Sequence, residues 1–355
     1  MKIKSIKVYQ KDLGNKRPYT IAFKTVNEVF NALVEIELEN GIIGYGSGNP
    51  SEYVVGENLA STMSVLNGGD LDFIKGRDIR HFYSILSDIQ EKLPKNPAAR
   101  AALDIAIHDA FTKYLEVPLA SFLGQKISSL PTSVTIGIKD VAGTLEEAQE
   151  YYDMGFRALK VKTGKDLEED IERMKKLREK FGKHFTIRVD ANQGYDTDML
   201  LKFFNDTKKD EIELIEQPIP AKSVTELKAL PDEVKKVIAA DESLINPADA
   251  FTLASGSRAS DIYNIKLMKS GGIYPGRRIA SIAQAAGIDL MWGCNDESSI
   301  SITAALHAAL SFSNTKYLDL DGSLDLVVDV VNAGFEIKDG WMGVTARSGL
   351  GTVET

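Results

Sequence analysis

From about Pro131 onward, short runs rich in apolar and β-branched residues alternate with amphipathic segments. The runs are SVTIGI, ALKVKTG, TIRVDANQG, IELIEQP, KVIAADES, DIYNIKLMKSGG, GIDLMWGC and KYLDLDG. Between the second and third runs, the segment 167–181 carries its charges as the solvated face of a helix does. Eight strand–helix units in succession are what a closed parallel sheet requires, so the pattern predicts an α/β protein with a (β/α)8 TIM-like barrel.

The first third of the chain has a different pattern and predicts a smaller α+β domain. Alternation of apolar and polar residues predicts strands at 3–9, 29–39 and 42–46, with a hairpin turn at Asn40-Gly41. An amphipathic helix is predicted over 78–93, and Asn96-Pro97 predicts the start of an Ala-rich helix that runs to about Tyr114. That helix is apolar all round, so we expect it to pack against the neighbouring domain.

These patterns divide the chain into three parts. We predict an N-terminal α+β capping and specificity domain at 1–125 and a barrel domain at 126–322. The C-terminal segment 323–355 contains strand-like pieces at 334–338 and 341–345, and we expect it to return toward the capping domain and complete it.

Composition narrows the class of protein. A chain of 355 residues that is 43% hydrophobic can fill both cores. The formal charge of -9 speaks against a nucleic-acid partner, and no apolar stretch is long enough for a signal core or a membrane span. The single cysteine, Cys294, excludes an internal disulfide framework. A cytoplasmic protein is expected, and the apolar Ala-rich helices are compatible with a homo-oligomer.

Ionisable residues recur where successive barrel strands are predicted to end. Lys162, Asp190, Glu216, Asp241 and Lys266 are spaced 25 to 28 residues apart, which is one strand–helix unit each. Charged residues in this register face the mouth of a parallel barrel at the carboxyl ends of its strands, where barrel enzymes bind substrate. The sequence therefore predicts that these five side chains converge.

The three carboxylates of Asp190, Glu216 and Asp241 repel one another unless a cation lies between them. Ligands that are all oxygen atoms favour Mg²⁺, with Mn²⁺ as a substitute. The alternative is three separate ion pairs with lysines or arginines of the barrel. Asn192 alternates with Asp190 and would face the same site, or else it simply forms the turn before Gln193-Gly194.

Lys162 and Lys266 belong to strands two and six, which stand opposite each other in an eight-stranded ring. Removal of a proton by one amine and its return by the other would invert a stereocentre held between them. Lys160 lies on the same side of its strand as Lys162, and its like charge would favour a neutral amine there. The alternatives are that either lysine only pairs with a carboxylate, or that Lys269 replaces Lys266.

The eighth strand ends in an Asp-Leu-Asp sequence, Asp319 to Asp321. These two carboxylates would face the far end of the substrate and suit a cationic group such as an α-ammonium. A turn-forming role for Asp321 before Gly322 is the alternative.

The motifs KVK at Lys160, DAN at Asp190, EQP at Glu216, ADES at Ala240, NIKLMKSGG at Asn264 and DLD at Asp319 together resemble the enolase superfamily. The chain is most similar to its muconate lactonizing subgroup, and within it to dipeptide epimerases of the L-Ala-D/L-Glu type. The resemblance implies a Mg²⁺-dependent isomerase that inverts the α-carbon of the C-terminal residue of a dipeptide. It also implies that 1,1-proton transfer between Lys162 and Lys266 proceeds through an enediolate, and that Asp319 and Asp321 hold the free ammonium.

The same resemblance implies further substrate contacts. These are Lys24, Thr135, Lys160, Asn192, Asp296 and Glu297. Related enzymes carry arginine where Lys24 stands, so recognition of a glutamate side chain by the two-pronged guanidinium is not expected here. Segment 47–56 resembles a lid loop that closes over substrate. A role in peptidoglycan recycling follows only if the second residue of the dipeptide is glutamate.

Two other functions remain open from the sequence. One is muconate cycloisomerisation or o-succinylbenzoate synthesis, in which one lysine acts as base and the other only stabilises charge. The other is a non-catalytic barrel that binds metal and ligand. The four histidines and Cys294 lack the spacing of catalytic groups, and Gly271-Gly272 is interpreted as a turn that lets the loop approach the substrate.

Overall fold

The computed structural model describes residues 1–17, 28–68 and 71–355, and for 19–21 and 24–26 the backbone alone. Its larger part is an eight-stranded parallel sheet in which each strand pairs with the next along the chain. Its strands are Ser133–Ile136, Ala158–Lys162, Thr186–Asp190, Ile212–Glu216, Ile238–Ala240, Ile262–Lys266, Asp289–Gly293 and Thr315–Asp319. Each overlaps one of the eight predicted runs, which confirms the barrel.

The sheet closes where the eighth strand meets the first. Thr132 and Leu318 form a parallel bridge, and the Oγ1 of Thr132 accepts the N–H of Leu320 at 2.9 Å. Helices surround the strands, and those that are amphipathic pack their apolar face on the sheet. They are Val141–Asp153, Leu167–Phe181, Thr197–Asp206, Val224–Ala229, Asp232–Lys235, Pro247–Ala254, Leu267–Ser270, Ile273–Ala285 and Ser299–Ala309, with a 3-10 turn at Lys208–Asp210.

The N-terminal domain is an antiparallel sheet with helices on one face. Its strands are Ile3–Asp12, Phe30–Leu38 and Ile43–Gly48, beside a hairpin of Tyr19–Ile21 and Lys24–Val26. Its helices are Glu52–Val55, Leu59–Asn67, Phe82–Lys92, Pro97–Tyr114 and Leu119–Leu123. The predicted Asn40-Gly41 turn is present, with Gly41 at a φ of 84° and its N–H donated to Leu38 O.

Glycines alternating along the strand Ile43–Gly48 explain why the Ala-rich helix lies so close to this sheet. A Cβ on Gly44 would lie 2.3 Å from Ala106 O, and one on Gly46 would lie 1.8 Å from Ala102 O. The glycines recur every two residues, which is one face of a strand, and the alanines every four, which is one face of a helix. The other side of the same helix contacts the barrel, as its all-round apolar pattern predicts.

The C-terminal segment connects both parts. Trp341–Val344 pairs with Phe335–Lys338 and with Ser129–Pro131 just before the barrel, and Val331–Asn332 pairs with Val353–Glu354. Leu350 then donates its N–H to Asp109 of the Ala-rich helix at 2.8 Å. The segment therefore contacts the N-terminal domain. In the described part of the chain, the helices are too short or too polar to cross a membrane.

Candidate active site

A cavity of about 1090 Å³ lies between the N-terminal domain and the mouth of the barrel. The barrel lines its floor with residues from the ends of several strands, among them Lys162, Asp241 and Lys266. The N-terminal domain contributes its near wall, including Phe30 and residues 49–54 of the predicted lid segment. The cavity is thus at the end of the barrel where the sequence predicts the site.

Lys162 ends the second strand opposite Asp190, which ends the third. Parallel pairing in this register brings their side chains together, and Lys162 Nζ donates to Asp190 Oδ2 at 2.7 Å and to Asn192 Oδ1 at 3.0 Å. Burial by itself favours the neutral form of Asp190, but Lys162 and Lys160 outweigh it and hold the pKa of this carboxyl below its usual value. Asn192 therefore lies at the site, in a turn with a φ of 41°.

Lys160 lies deeper in the barrel than Lys162, beneath the carboxylates. Its Nζ contacts Asp319 at 2.7 Å, Glu216 at 2.8 Å and Asp190 at 3.1 Å. Burial disfavours the ammonium, yet the three carboxylates dominate and raise the pKa of Lys160 well above its usual value. Lys160 is therefore charged, and it ties strands three, four and eight together at the cavity floor.

Lys266 and Lys269 hold Asp241 from two sides. Lys266 Nζ contacts Asp241 Oδ2 at 2.8 Å and Glu216 Oε1 at 3.7 Å. Lys269 Nζ contacts Asp241 Oδ1 and donates to the main-chain oxygens of Asp241 at 2.6 Å and Asn264 at 3.1 Å. Burial lowers the pKa of Lys266, but Asp241 and Glu216 reverse the effect and raise it. Both lysines are buried, but Lys266 lines the cavity and Lys269 does not, which favours Lys266 as the group that faces a ligand.

Glu216 is the carboxylate with the least compensation. It is fully buried, and burial together with the charge of Asp190 raises its pKa to about 8. Its Oε1 accepts the side-chain N–H of Asn264 at 2.9 Å, an acceptor role that suits the ionised form. A buried carboxyl of raised pKa that accepts hydrogen bonds is a site where added positive charge stabilises the ionised state.

The donor set fits a hard divalent cation. Asp190, Glu216 and Asp241 offer only oxygen atoms, from three adjacent strands, and Glu216 is short of positive charge. Among residues 1–17, 28–68 and 71–355, no three acidic, histidine or cysteine side chains are spaced as a ready ligand cluster. In this structure the three carboxylates contact lysine ammonium groups instead, Asp190 that of Lys162, Glu216 that of Lys160 and Asp241 that of Lys266.

The two aspartates after the eighth strand have different environments. Asp319 accepts Ser133 Oγ and Lys160 Nζ, both at 2.7 Å, and so is held by the barrel. Asp321 accepts the main-chain N–H of Thr135 at 2.7 Å. Burial and the neighbouring Asp319 raise the pKa of Asp321 to about 7. Thr135, Asp319 and Asp321 all line the cavity. Because Asp319 is paired with Lys160 and Asp321 forms no ion pair with the described residues, Asp321 has the carboxylate less engaged by the protein.

The remaining predicted contacts divide into three cases. Asp296 lines the cavity. Glu297 does not, because it is buried behind the loop, where its Oε1 accepts the N–H of Asn295 at 2.8 Å and burial raises its pKa to about 7. The side chain of Lys24 lies outside the described residues.

Sequence reasoning missed residues that orient the site from behind. Gln217 Oε1 accepts the N–H groups of Asp241 at 3.0 Å and Ser243 at 3.1 Å, and so sets the start of the loop after strand five. Asn264 binds Glu216, as described above. Its position two residues before Lys266, on the same side of the strand, is a signal that could have identified it.

Comparison with known proteins shows similarity along nearly the whole chain. Residues 143–353 match the "Enolase C-terminal domain-like" family, and residues 4–124 match the "Mandelate racemase / muconate lactonizing enzyme, N-terminal domain" family. An L-Lys-D/L-Arg epimerase of Methylococcus capsulatus is 51% identical over 353 residues, 99% of each chain. An L-Ala-D/L-Glu epimerase of Clostridium acetobutylicum is 33% identical, over 99% of this chain and 98% of its own.

Among solved structures, a dipeptide epimerase from Methylococcus capsulatus with Mg and the dipeptide L-Arg-D-Lys superimposes with a TM-score of 0.98. It is 51% identical and covers 99% of this chain and 100% of its own. The chain belongs to the enolase superfamily, in the group with mandelate racemase and muconate lactonizing enzyme. Within that group it is an isomerase of the racemase and epimerase type, which confirms the class predicted from the sequence motifs.

Proposed function

We propose that the protein epimerises dipeptides with positively charged side chains, inverting the α-carbon of the C-terminal residue. The charge of the cavity carries this proposal. Eleven acidic and only five basic residues are among the described residues that line it. Such an imbalance in a partly closed cleft favours a cationic ligand over an anionic one.

Part of the acidic wall has no basic partner within the protein. Glu52, Glu146, Glu242 and Asp321 line the cavity and form no ion pair with other described residues. The buried Oε2 of Glu242 also lacks a hydrogen-bond partner there, and burial raises its pKa to about 7. Cationic groups of a substrate would satisfy such carboxylates, whereas a glutamate side chain would add a further negative charge.

The similarity to known epimerases supports the same substrate class. The relative that acts on L-Lys-D/L-Arg shares 51% of aligned residues, and the L-Ala-D/L-Glu enzyme shares 33%. A glutamate-containing substrate was the expectation from the motifs alone, and a role in peptidoglycan recycling depended on it. The acidic charge of the cavity favours neither a glutamate-containing substrate nor a role in peptidoglycan recycling.

For the chemistry, we assign Lys162 and Lys266 as the two acid/base groups. Each lines the cavity at the end of a strand, on opposite sides of the barrel. One amine removes the α-proton and the other returns a proton to the opposite face, which inverts the carbon. Asp321 would hold the free ammonium of the dipeptide, beside Asp319, and Thr135 and Asp296 would contact its backbone and side chains.

Asp190, Glu216 and Asp241 would hold Mg²⁺, and Mn²⁺ is a predicted substitute. Bound there, the cation supplies positive charge that offsets the negative charge developing on the substrate carboxylate as the α-proton leaves. Lys160 contacts Asp190 and Glu216, Lys269 contacts Asp241, and Asn264 binds Glu216, so these side chains fix the orientation of the three carboxylates. Gln217 fixes the main chain of Asp241. Such supporting contacts limit how far the ligands can move.

The test compares substrates that differ in charge at almost constant shape. The protein with Mg²⁺ is incubated in D2O with L-Lys-L-Arg, with L-Lys-L-citrulline, whose side chain is a neutral analogue of arginine, and with L-Ala-L-Glu. We expect kcat/KM for the arginine dipeptide to exceed that for the citrulline dipeptide by at least about tenfold, because only the arginine side chain can form an unscreened ion pair with the cavity. Equal rates for arginine and citrulline, or faster turnover of L-Ala-L-Glu, would contradict the proposal.

A further inference from the structure

The chain that follows Lys266 is held by the N-terminal domain. Strand six ends at Lys266, a short helix covers Leu267–Ser270, and Gly271 and Gly272 lead into the helix Ile273–Ala285. Asp104, from the Ala-rich helix of the N-terminal domain, accepts the N–H of Ile273 at 2.7 Å and that of Tyr274 at 3.2 Å. One buried carboxylate thus caps the helix that begins at Ile273, seven residues beyond Lys266 in the sequence.

The absence of side chains at Gly271 and Gly272 allows this close approach. Gly272 has a φ of 114°, and a Cβ placed on it would lie 2.4 Å from Cγ of Asp104. A Cβ on Gly271 would lie 2.5 Å from Nε of Arg100, on the same helix as Asp104. The interpretation of this pair as a turn that approaches the substrate is therefore wrong, because the turn faces the helix of the neighbouring domain.

A second contact from the N-terminal domain acts on the same turn. Gln90 donates its side-chain N–H to the main-chain oxygen of Gly271 at 2.9 Å. Asp104 itself is fully buried, with His108 Nδ1 at 3.2 Å from its Oδ1. A buried carboxylate that accepts two main-chain N–H groups is a strong and directional anchor.

The other lysine has no comparable anchor. After Lys162, Thr163 donates its N–H to Asp190 O at 2.9 Å, and Gly164 donates to Asp170 Oδ2 at 2.9 Å, both within the barrel. No hydrogen bond joins the described part of the N-terminal domain to residues 158–166. The two lysines therefore differ in which domain fixes the chain that follows them.

We propose that Asp104 is a positioning residue for Lys266 and that it acts on proton transfer at one face of the substrate only. The proposal rests on the assignment of Lys162 and Lys266 as the two acid/base groups. Loss of the anchor lets the turn at Gly271 and Gly272 shift, and Lys266 shifts with the end of its strand. Displacement of a reacting group by about 1 Å is sufficient to slow a reaction about a hundredfold.

The consequence is stereochemical and can be measured in D2O, where the lysine ammonium groups carry deuterium. In Asp104→Asn, the epimer whose α-proton faces Lys162 still loses that proton and regains deuterium on the same face, so it becomes deuterated without inversion. The opposite epimer, whose α-proton faces Lys266, loses that proton more slowly. Its deuteration and its inversion are therefore both slower than in the wild type. We expect the ratio of deuteration to inversion to rise at least about tenfold for the first epimer.

The experiment follows both epimers of a lysine- and arginine-containing dipeptide by NMR and chiral chromatography, with Mg²⁺ present. Lys266→Ala sets the limit of the effect. Asp109→Asn is the matched control, because Asp109 lies on the same helix but accepts the N–H groups of Tyr45 and Leu350, both at 2.8 Å, away from the strand-six turn. It should lower Tm without changing the ratio.

Equal slowing of α-deuteration for both epimers by Asp104→Asn, or an unchanged ratio of deuteration to inversion, overturns the proposal. If Asp104→Asn does not fold, Gln90→Met carries the test, since Gln90 is only partly buried, and an unchanged ratio in that variant overturns the proposal as well. Failure of the proposed function has a different signature, because the wild-type protein would then deuterate neither epimer.

Discussion

Lys162 and Lys266 reach one layer of carboxylates from opposite sides of the barrel, Lys162 through Asp190 at 2.7 Å and Lys266 through Asp241 at 2.8 Å. Between these pairs lies Glu216, whose strand separates the strands that carry the two aspartates. A substrate carboxylate placed over this layer presents its α-carbon to an amine on each side. This symmetry is what a reaction that inverts a stereocentre requires.

Glu216 should be indispensable for Mg²⁺. Glu216→Gln preserves shape and the contact with Asn264 but removes the charge of the least compensated carboxyl, so Mg²⁺ affinity should fall by at least about a hundredfold. Because a ligand that binds only the folded state stabilises it, Mg²⁺ should raise Tm of the wild type and EDTA should reverse the effect. Calorimetric titration measures the Mg²⁺ affinity, and thermal unfolding measures the change of Tm.

Glu213→Gln is the control for that experiment. Glu213 lies on the same strand but pairs with Arg188 at 2.7 Å, at the end away from the cavity. This variant should keep the rise of Tm with Mg²⁺ even if its own Tm is lower. A full Mg²⁺ response in Glu216→Gln would show that the cation binds elsewhere.

Asp321 should give substrate binding a dependence on pH. Its pKa of about 7 means that the carboxyl is mostly neutral at pH 6 and mostly charged at pH 7.5. An ammonium group binds the charged form, so KM should fall as pH rises, by about eightfold over this interval. The dependence should vanish in Asp321→Asn and for a dipeptide whose amino group is acetylated. A KM that rises over the same interval would contradict this role.

The sequence could predict those parts of the site that follow from local patterns along the chain. It could not predict those that depend on contacts between distant segments. The sequence could predict that Lys162, Asp190, Glu216, Asp241 and Lys266 converge, because each ends a strand or directly follows one and its charge interrupts a local apolar pattern. The spacing of one strand–helix unit then places them in one ring. For the loop after strand seven, no local pattern distinguishes Asp296, which lines the cavity, from Glu297, which is buried behind it.

Contacts between distant parts of the chain could not be predicted in this way. Asn96 stands at the N-cap of the Ala-rich helix as expected, but its side chain makes no capping hydrogen bond. Glu57 performs that role, accepting the N–H groups of Ala98 at 2.6 Å and Ala99 at 3.4 Å. The anchor between Asp104 and Ile273 spans 169 residues. Only the folded chain brings such partners together.

His307 should make the fold sensitive to acid. It is fully buried, accepts the N–H of Ala120 at Nδ1 at 2.8 Å and contacts Leu350 O through Nε2 at 3.1 Å. Burial lowers its pKa to about 4, so between about pH 6.5 and 4 the unfolded state binds the extra proton and the folded state does not. Its contribution to stability is complete above pH 6.5 and is lost as pH falls through 4.

The expected loss is on the order of 3 kcal/mol across that window. Urea unfolding of the wild type and of His307→Gln at pH 7 and at pH 4.5 measures it. The variant should be less stable at pH 7 and should lose less free energy of unfolding on acidification than the wild type. Identical losses in the two proteins would assign the acid sensitivity to other groups.

The most direct test of the two-amine arrangement is α-deuteration by single lysine variants. Lys162→Ala and Lys266→Ala are each incubated in D2O with Mg²⁺ and with either epimer of a lysine- and arginine-containing dipeptide. Neither variant should interconvert the epimers. One variant should deuterate only one epimer, and the other variant should deuterate only the opposite epimer. Interconversion by either variant, or deuteration of the same epimer by both, would contradict the two-amine arrangement.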